Sequence, residues 1–300
     1  MNYFPIGKRN TYITLDGEKV GEESNELKLK SFFTSYSDVS LPYASGNSVE
    51  FNNKLHYLGG GSSGYWKKHY EFDGKQWTQL GSLPYDFTNG SAVVLNGEIH
   101  ILGAQVRGGD ATDAKKHYKW NGTKWTQVST LPYIFDNGSA VVLNGEIHIM
   151  GGNGTGSKLK HYKWNGTTWT QVSTLPYTVY SHMAIVYNGE IHLLGVIGSS
   201  HYYFDGNEWV SLGETPINNG YAITMNDGIH LLEKVGSYGS KGFEHYRWDG
   251  EVWHSIGTIP YEPYIYPILS NGRIHLLGGY NSNDAYTSEH KQLVRFVEIA

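Results

Sequence analysis

Histidine is the side chain in this sequence best equipped for chemistry, and its placement is regular: 12 of 14 fall at repeated positions. Six lie inside apolar phrases of the type Asn-Gly-Glu-Ile-His-Ile-Leu-Gly: His56, His100, His148, His192, His230 and His275. Six more belong to a second phrase, mostly as His-Tyr: His69, His117, His161, His201, His245 and His290. An imidazole near neutral pH can act as a base or bind a metal. A catalytic or metal centre is asymmetric, however, whereas a feature present in every repeat belongs to the way the repeats pack. The expectation is that each pair meets across adjacent strands or bonds nearby backbone, since buried polar groups have partners. His182 and His254 break the pattern, and His182 is placed to face a central cavity.

The elements that must position these pairs follow from the repeat itself. Residues 90–103 read GSAVVLNGEIHILG and residues 138–151 read GSAVVLNGEIHIMG. The histidines of the first phrase are spaced 44, 48, 44, 38 and 45 residues apart from His56 to His275. A period of about 40–50 residues suits a four-stranded propeller blade. Each unit reads as an apolar strand, an Asn-Gly hairpin, the strand holding the first histidine, a variable loop, and the strand holding the second. An Asn-Gly or Asp-Gly turn and a strand opening on Trp77, Trp125, Trp169, Trp209 or Trp253 follow. Leu-Pro-Tyr or a relative ends the unit. Consecutive apolar positions in the first two strands predict sheets buried on both faces.

The sixth unit stops after Gln292–Val297 without its Trp strand, and residues 30–43 have that strand's rhythm followed by Leu41-Pro42-Tyr43. The predicted fold is therefore all-β: a six-bladed propeller over residues 30–300, its last blade closed by the N-terminal strand. Residues 1–29 lie outside the repeat, as an attachment extension or as a surface strand packed on the last blade, with a hairpin around Asp16-Gly17.

Composition narrows the function. A net charge of −5 with no basic tract argues against nucleic acid. The absence of cysteine removes disulfides, thiol nucleophiles and thiolate metal sites. No stretch approaches the length of a membrane span, and the first residues lack the apolar run of a signal peptide, so the expected setting is the cytoplasm or release by another route. Asp110 and Asp113 fall short of a calcium shell. No metal and no cofactor are expected, and no elbow, phosphate loop or sialidase box points to an enzyme.

The His-Ile-Leu-Gly-Gly type of strand end, the aromatic-Asn/Asp-Gly turn and the following Trp resemble Kelch repeats over residues 31–299. Gly103-Ala104, Gly195-Val196 and Glu233-Lys234 depart from the double glycine. The wording of the repeat is also similar to Kelch-like modules in tail proteins of phages and prophages of Gram-positive bacteria. That resemblance implies a virion setting, attachment to other tail proteins through residues 1–29, and contact with the host surface.

Function is expected where the units differ, in loops on a rigid scaffold. The predicted ligand face gathers Tyr65 and Trp66, Phe87, Phe135, then Tyr180 and His182, Tyr221, Tyr264 and Tyr266, and Tyr280. Aromatic faces beside Asn and Asp suit a surface glycan or a protein receptor. Tyr85, Tyr133, Tyr177 and Tyr261 recur and are expected to pack between blades. The alternatives are a sugar-processing enzyme of mutarotase or epimerase type with polar residues in the channel, and a structural scaffold of a tail assembly.

Overall fold

The computed structural model describes residues 13–15, 18–20, 30–35, 46–60, 66–106, 111–154, 156–178, 183–196, 199–217, 220–234, 243–259, 266–280 and 286–297. They form six four-stranded antiparallel sheets and one two-stranded hairpin, Ile13–Leu15 with Glu18–Val20. Blade 1 comprises Asn47–Phe51, Lys54–Leu58, His69–Phe72 and Trp77–Gln79. Blade 2 comprises Ser91–Leu95, Glu98–Leu102, Lys116–Trp120 and Trp125–Thr130. Blade 3 runs Ser139–Leu143, Glu146–Met150, Lys160–Trp164 and Trp169–Thr174. Blade 4 runs Met183–Tyr187, Glu190–Val196, Ser200–Phe204 and Trp209–Glu214. Blade 5 runs Tyr221–Met225, Gly228–Lys234, Phe243–Trp248 and Trp253–Ile259.

Blade 6 closes as expected. Tyr266–Ser270, Arg273–Tyr280 and Tyr286–Val297 are completed by Lys30–Ser35, which pairs Phe33 with Leu293 and Lys30 with Val297. Its third strand starts six residues before the expected Gln292, because the long second strand carries the ladder up to the Tyr280–Tyr286 pair. The first strands of all six blades touch in a closed ring, blade 6 returning to blade 1, so they surround the axis.

Local chemistry explains the hairpins. Asn96 and Gly97 have φ of 51° and 71°, the two positive angles a two-residue type I′ turn demands. The second hairpin is different from the tight turn read in the sequence. Four residues separate Phe72 from Trp77, and the Asp73 carboxylate accepts the amides of Lys75 and Gln76 at 2.8 and 2.9 Å. Asn121, Asn165, Asp205 and Asp249 do the same in later blades.

The core lies between blades. Ile99, Ile101 and Trp120 of blade 2 pack on Val49, Phe51 and Leu58 of blade 1 with Leu83 and Tyr85. Ile147, Ile149 and Trp164 repeat this against blade 2 with Leu131 and Tyr133. Tyr85 and Tyr133 are thus interblade packing, as expected, and the Tyr85 hydroxyl donates to the Gly103 carbonyl at 3.0 Å. The second strands are buried at consecutive positions, matching their unbroken apolar run.

Candidate functional site

Each blade buries its two repeated imidazoles against each other. Nδ1 of the second-strand histidine lies 2.7 to 2.9 Å from Nε2 of the third-strand histidine in all six pairs, from His56–His69 to His275–His290. The pairs are diagonal neighbours in the ladder: His56 faces Glu71, and His69 faces Leu58. The aromatic that ends the next blade's third strand stands beside the second ring, with centroids 4.6 to 5.3 Å apart.

The donors set the direction of these bonds. An indole N–H only donates. Trp77 Nε1 meets His290 Nδ1 at 3.2 Å, so that nitrogen accepts, and His290 donates through Nε2 to His275. In blades 2 and 3 a serine extends the chain. Trp169 donates to Ser129 Oγ at 2.9 Å and Trp209 to Ser173 Oγ at 3.1 Å. Those hydroxyls lie 2.8 and 2.9 Å from Nδ1 of His117 and His161 and donate in the same sense. At the far end His230 Nε2 meets the Asp227 carboxylate at 3.0 Å. The result is a one-way relay, Trp to Ser to His to His, that ties one blade to the next.

Burial holds these rings neutral. It lowers His56, His100, His148, His192 and His275 to about 4, and His69, His117, His161, His201, His245 and His290 to about 3. His230 is lowered too, with Asp227 opposing. The packing role read from the sixfold repetition therefore holds for these residues.

Three blades place glycine where the relay has its serine: Gly81 in blade 1, Gly213 opposite His201 and Gly257 opposite His245, where Ser129 stands opposite His117. At Gly81 and Gly213 the Nδ1 of His69 and of His201 and the Nε1 of Trp125 and of Trp253 are buried without a partner among the described residues. The ring pairs keep their spacing: 5.6 Å for both, against 5.7 Å for His117–Trp169. A Cβ at Gly81 meets nothing within 4 Å. Gly81→Ser is expected to link Trp125 to His69 and stabilise the fold by about 1 kcal/mol, roughly 2–4 °C in thermal unfolding. Gly213→Ser offers the same hydroxyl at φ +94°. Strain there offsets the gain, and no rise in Tm is expected. An equal gain at both sites would refute the relay's geometry.

The loop face is the other candidate. Trp66 is half-buried, and its carbonyl accepts the Phe87 amide at 2.9 Å. Tyr221 is half-buried and starts the first strand of blade 5, opposite Leu232. Tyr266 starts the first strand of blade 6, and Tyr280 ends its second strand. Tyr65, Tyr180, His182 and Tyr264 lie outside the described residues.

Phe87 and Phe135 are corrections. Both are 0 % exposed and offer no ligand surface. Their rings fill the space that glycines leave: a Cβ at Gly90 would stand 2.4 Å from the Phe87 ring, and one at Gly138 2.2 Å from the Phe135 ring. The signal was present in Phe-x-Asn-Gly at 87–90 and 135–138, and Ile217 before Asn-Asn-Gly220 plugs blade 5 in the same way.

Register reveals a set of residues that a search for aromatics alone passes over. Asn47, Ser91, Ser139, Met183, Tyr221 and Tyr266 occupy one equivalent position, at the loop-face end of each first strand. Asn47 Nδ2 donates to the Gly90 carbonyl at 2.9 Å, and Ser91 Oγ to the Gly138 carbonyl at 2.8 Å. The connections above them are stitched together as well, by Gln105 N to Thr88 O and Asn137 N to Asn89 O, both at 2.7 Å. The ring mouth is thus divided into a small, polar, internally bonded arc over blades 1–3 and a bulky arc over blades 4–6.

No family model matches the chain, and no curated protein matches it. Among solved structures, one titled "Structure of YjhT" superposes with a TM-score of 0.69 at 14 % identity, covering 85 % of this chain and 95 % of that one. At this identity the likeness concerns architecture. The chain is a six-bladed β-propeller.

Proposed function

We propose that this propeller is a recognition module that binds a surface glycan through the bulky arc of its loop face, without transforming it. The observation that supports this reading is the split at one equivalent position, Asn47, Ser91 and Ser139 against Met183, Tyr221 and Tyr266. The first three belong to an arc whose polar groups are taken up by bonds to neighbouring blades. Of the last three, Met183 and Tyr221 are half-buried apolar and aromatic side chains, Tyr266 shares their register position, and the variable segments that hold Tyr180, His182 and Tyr264 lie next to them in the chain. Rigid aromatic surface with a polar surround is what sugar recognition uses. The repeated imidazoles, which would be the ready bases of an enzyme, are engaged with each other. The similarity of the repeat wording to phage tail modules makes a host-surface polysaccharide the favoured target and a tail tip the favoured setting.

A glycan array followed by calorimetry tests this. Tyr221→Ala is expected to weaken the best ligand by roughly 10-fold or more, about 1.4 kcal/mol. Binding left intact by Tyr221→Ala and Tyr180→Ala would refute the site. A silent array with a clear protein partner in cell-wall extracts would refute the glycan.

A further inference from the structure

The joint between the last and first blades holds a cavity of about 240 Å³ on the face opposite the loop face. Leu55 and Phe72 of blade 1 and Ser270, His275 and Gln292 of blade 6 line it, and Arg273 stands at its edge with the Asn53 and Asn271 turns. The register explains why it exists here. Ser270 ends its strand opposite Arg273, and the same position holds Phe51, Leu95, Leu143, Tyr187 and Met225 in the other blades. Phe72 holds the position that Trp120, Trp164 and Trp248 fill in blades 2, 3 and 5; blade 4 also has a phenylalanine there, Phe204, but keeps the bulky Tyr187 where blade 6 has Ser270. One bulky side chain is thus replaced by a hydroxyl and one indole by a phenyl at the same joint. The space that results is lined by polar side chains that are themselves almost fully buried: Ser270 at 2 %, Gln292 at 2 % and His275 at 7 % exposure.

The polar wall is also unlike its counterparts. Opposite the second-strand histidine, blades 1 to 3 place one half of an ion pair: Lys54–Glu71 at 2.7 Å, and Glu98–Lys119 and Glu146–Lys163 at 2.8 Å. Blade 6 places the uncharged amide of Gln292 there, with Arg273 at the position that Lys54, Glu98 and Glu146 hold in those blades. The cavity therefore offers hydroxyl, amide and guanidinium groups on one side and an apolar floor of Leu55 and Phe72 on the other.

We infer that this joint is a binding site for a single neutral sugar ring, free or as the terminal residue of a glycan. A pyranose has hydroxyls for the polar wall and a C–H face for Phe72. The volume lies below the range of about 300–1,000 Å³ that holds drug-sized ligands, which limits the occupant to one ring. The site is separate from the loop face, and neither depends on the other.

The test is saturation-transfer NMR on the full chain with hexoses, N-acetylhexosamines and their methyl glycosides. Millimolar binding of at least one ring is expected. Ser270→Leu and Phe72→Trp, which restore residues found in sibling blades, are expected to weaken it at least 10-fold with an unchanged Tm and unchanged loop-face binding. Arg273→Leu, at the exposed edge, is the second probe and is expected to weaken it without filling the cavity. Binding of the methyl glycosides identifies a terminal residue as the source, and binding of the free sugars alone identifies a free monosaccharide. No binding by any ring, or binding indifferent to all three variants, overturns the inference. Signal lost in Tyr221→Ala but kept in Ser270→Leu assigns the sugar to the loop face and likewise overturns it.

Discussion

Acidification is expected to unfold the propeller between about pH 6 and pH 5, well above the range in which carboxylates titrate. Eleven buried imidazoles are lowered from 6.5 to about 4 or about 3 in the folded protein. The unfolded chain therefore binds protons below pH 6.5 that the folded chain refuses. Their neutrality costs no stability above that value, and stability falls as the pH falls through it. Each ring removes about 1 kcal/mol at pH 6 and about 2 kcal/mol at pH 5. Even half of the summed effect at pH 5, roughly 10 kcal/mol, matches the whole stability of an ordinary domain. Urea unfolding at pH 7.5, 6.5 and 6.0 checks the mechanism as well as the outcome. The slope near pH 6 should correspond to uptake of roughly four to eight protons on unfolding, a number that groups with ordinary carboxylate pKa values cannot supply there. A protein that keeps its near-UV circular dichroism at pH 4, or unfolds in acid with uptake of about one proton at pH 6, would show that the pairs are not held neutral by burial.

The same pairs show how far the sequence could be read. Spacing alone located six blades, the Asn-Gly turn of the first hairpin and a closing strand within residues 30–43, because each depends on local pattern and on a repeat that varies little. Recurrence also separated scaffold from site for the twelve histidines. It failed for Phe87 and Phe135, which were grouped with loop aromatics although their burial depends on the missing Cβ atoms of Gly90 and Gly138. That dependence is local, within Phe-x-Asn-Gly, and is passed over when aromatics are sought by residue type alone. The joint cavity escaped for a different reason. Ser270 is unremarkable in sequence and becomes informative only when the ladder aligns it with Phe51, Leu95 and Leu143. The serine link of the relay was out of reach for the same cause, since Ser129 meets Trp169 from the following blade.

The departures from the double glycine lead to the second large expected effect: Gly103→Ala should destabilise the protein by about 3–4 kcal/mol, lowering Tm by roughly 10 °C. Gly103 has φ +63°, and a Cβ there would lie 2.0 Å from the Phe135 carbonyl oxygen. The positive φ alone costs an alanine about 1–2 kcal/mol. The contact adds more because the carbonyl has nowhere to go: the Phe135 amide is bonded to the Ala114 carbonyl at 2.9 Å, and its ring is locked under Gly138. Gly59 meets the Phe87 carbonyl in the same way, at 1.8 Å from a built Cβ. The second glycine is held less tightly: a Cβ at Gly152 (φ +120°) would lie 3.1 Å from the Asp136 carbonyl oxygen, and Ala104 and Val196 fill the position after Gly103 and Gly195 without a positive φ. Blade 5 dispenses with the turn altogether, its second strand running on to Lys234 opposite Phe243. Gly97→Ala is the matched control, with φ +71° but nothing within 4 Å of the added carbon, and should lose only the conformational part. Equal losses at the two positions would mean that the strand end does not dock on the next connection. A larger loss at Gly103 would show that this docking fixes the connections on which the loop face is built.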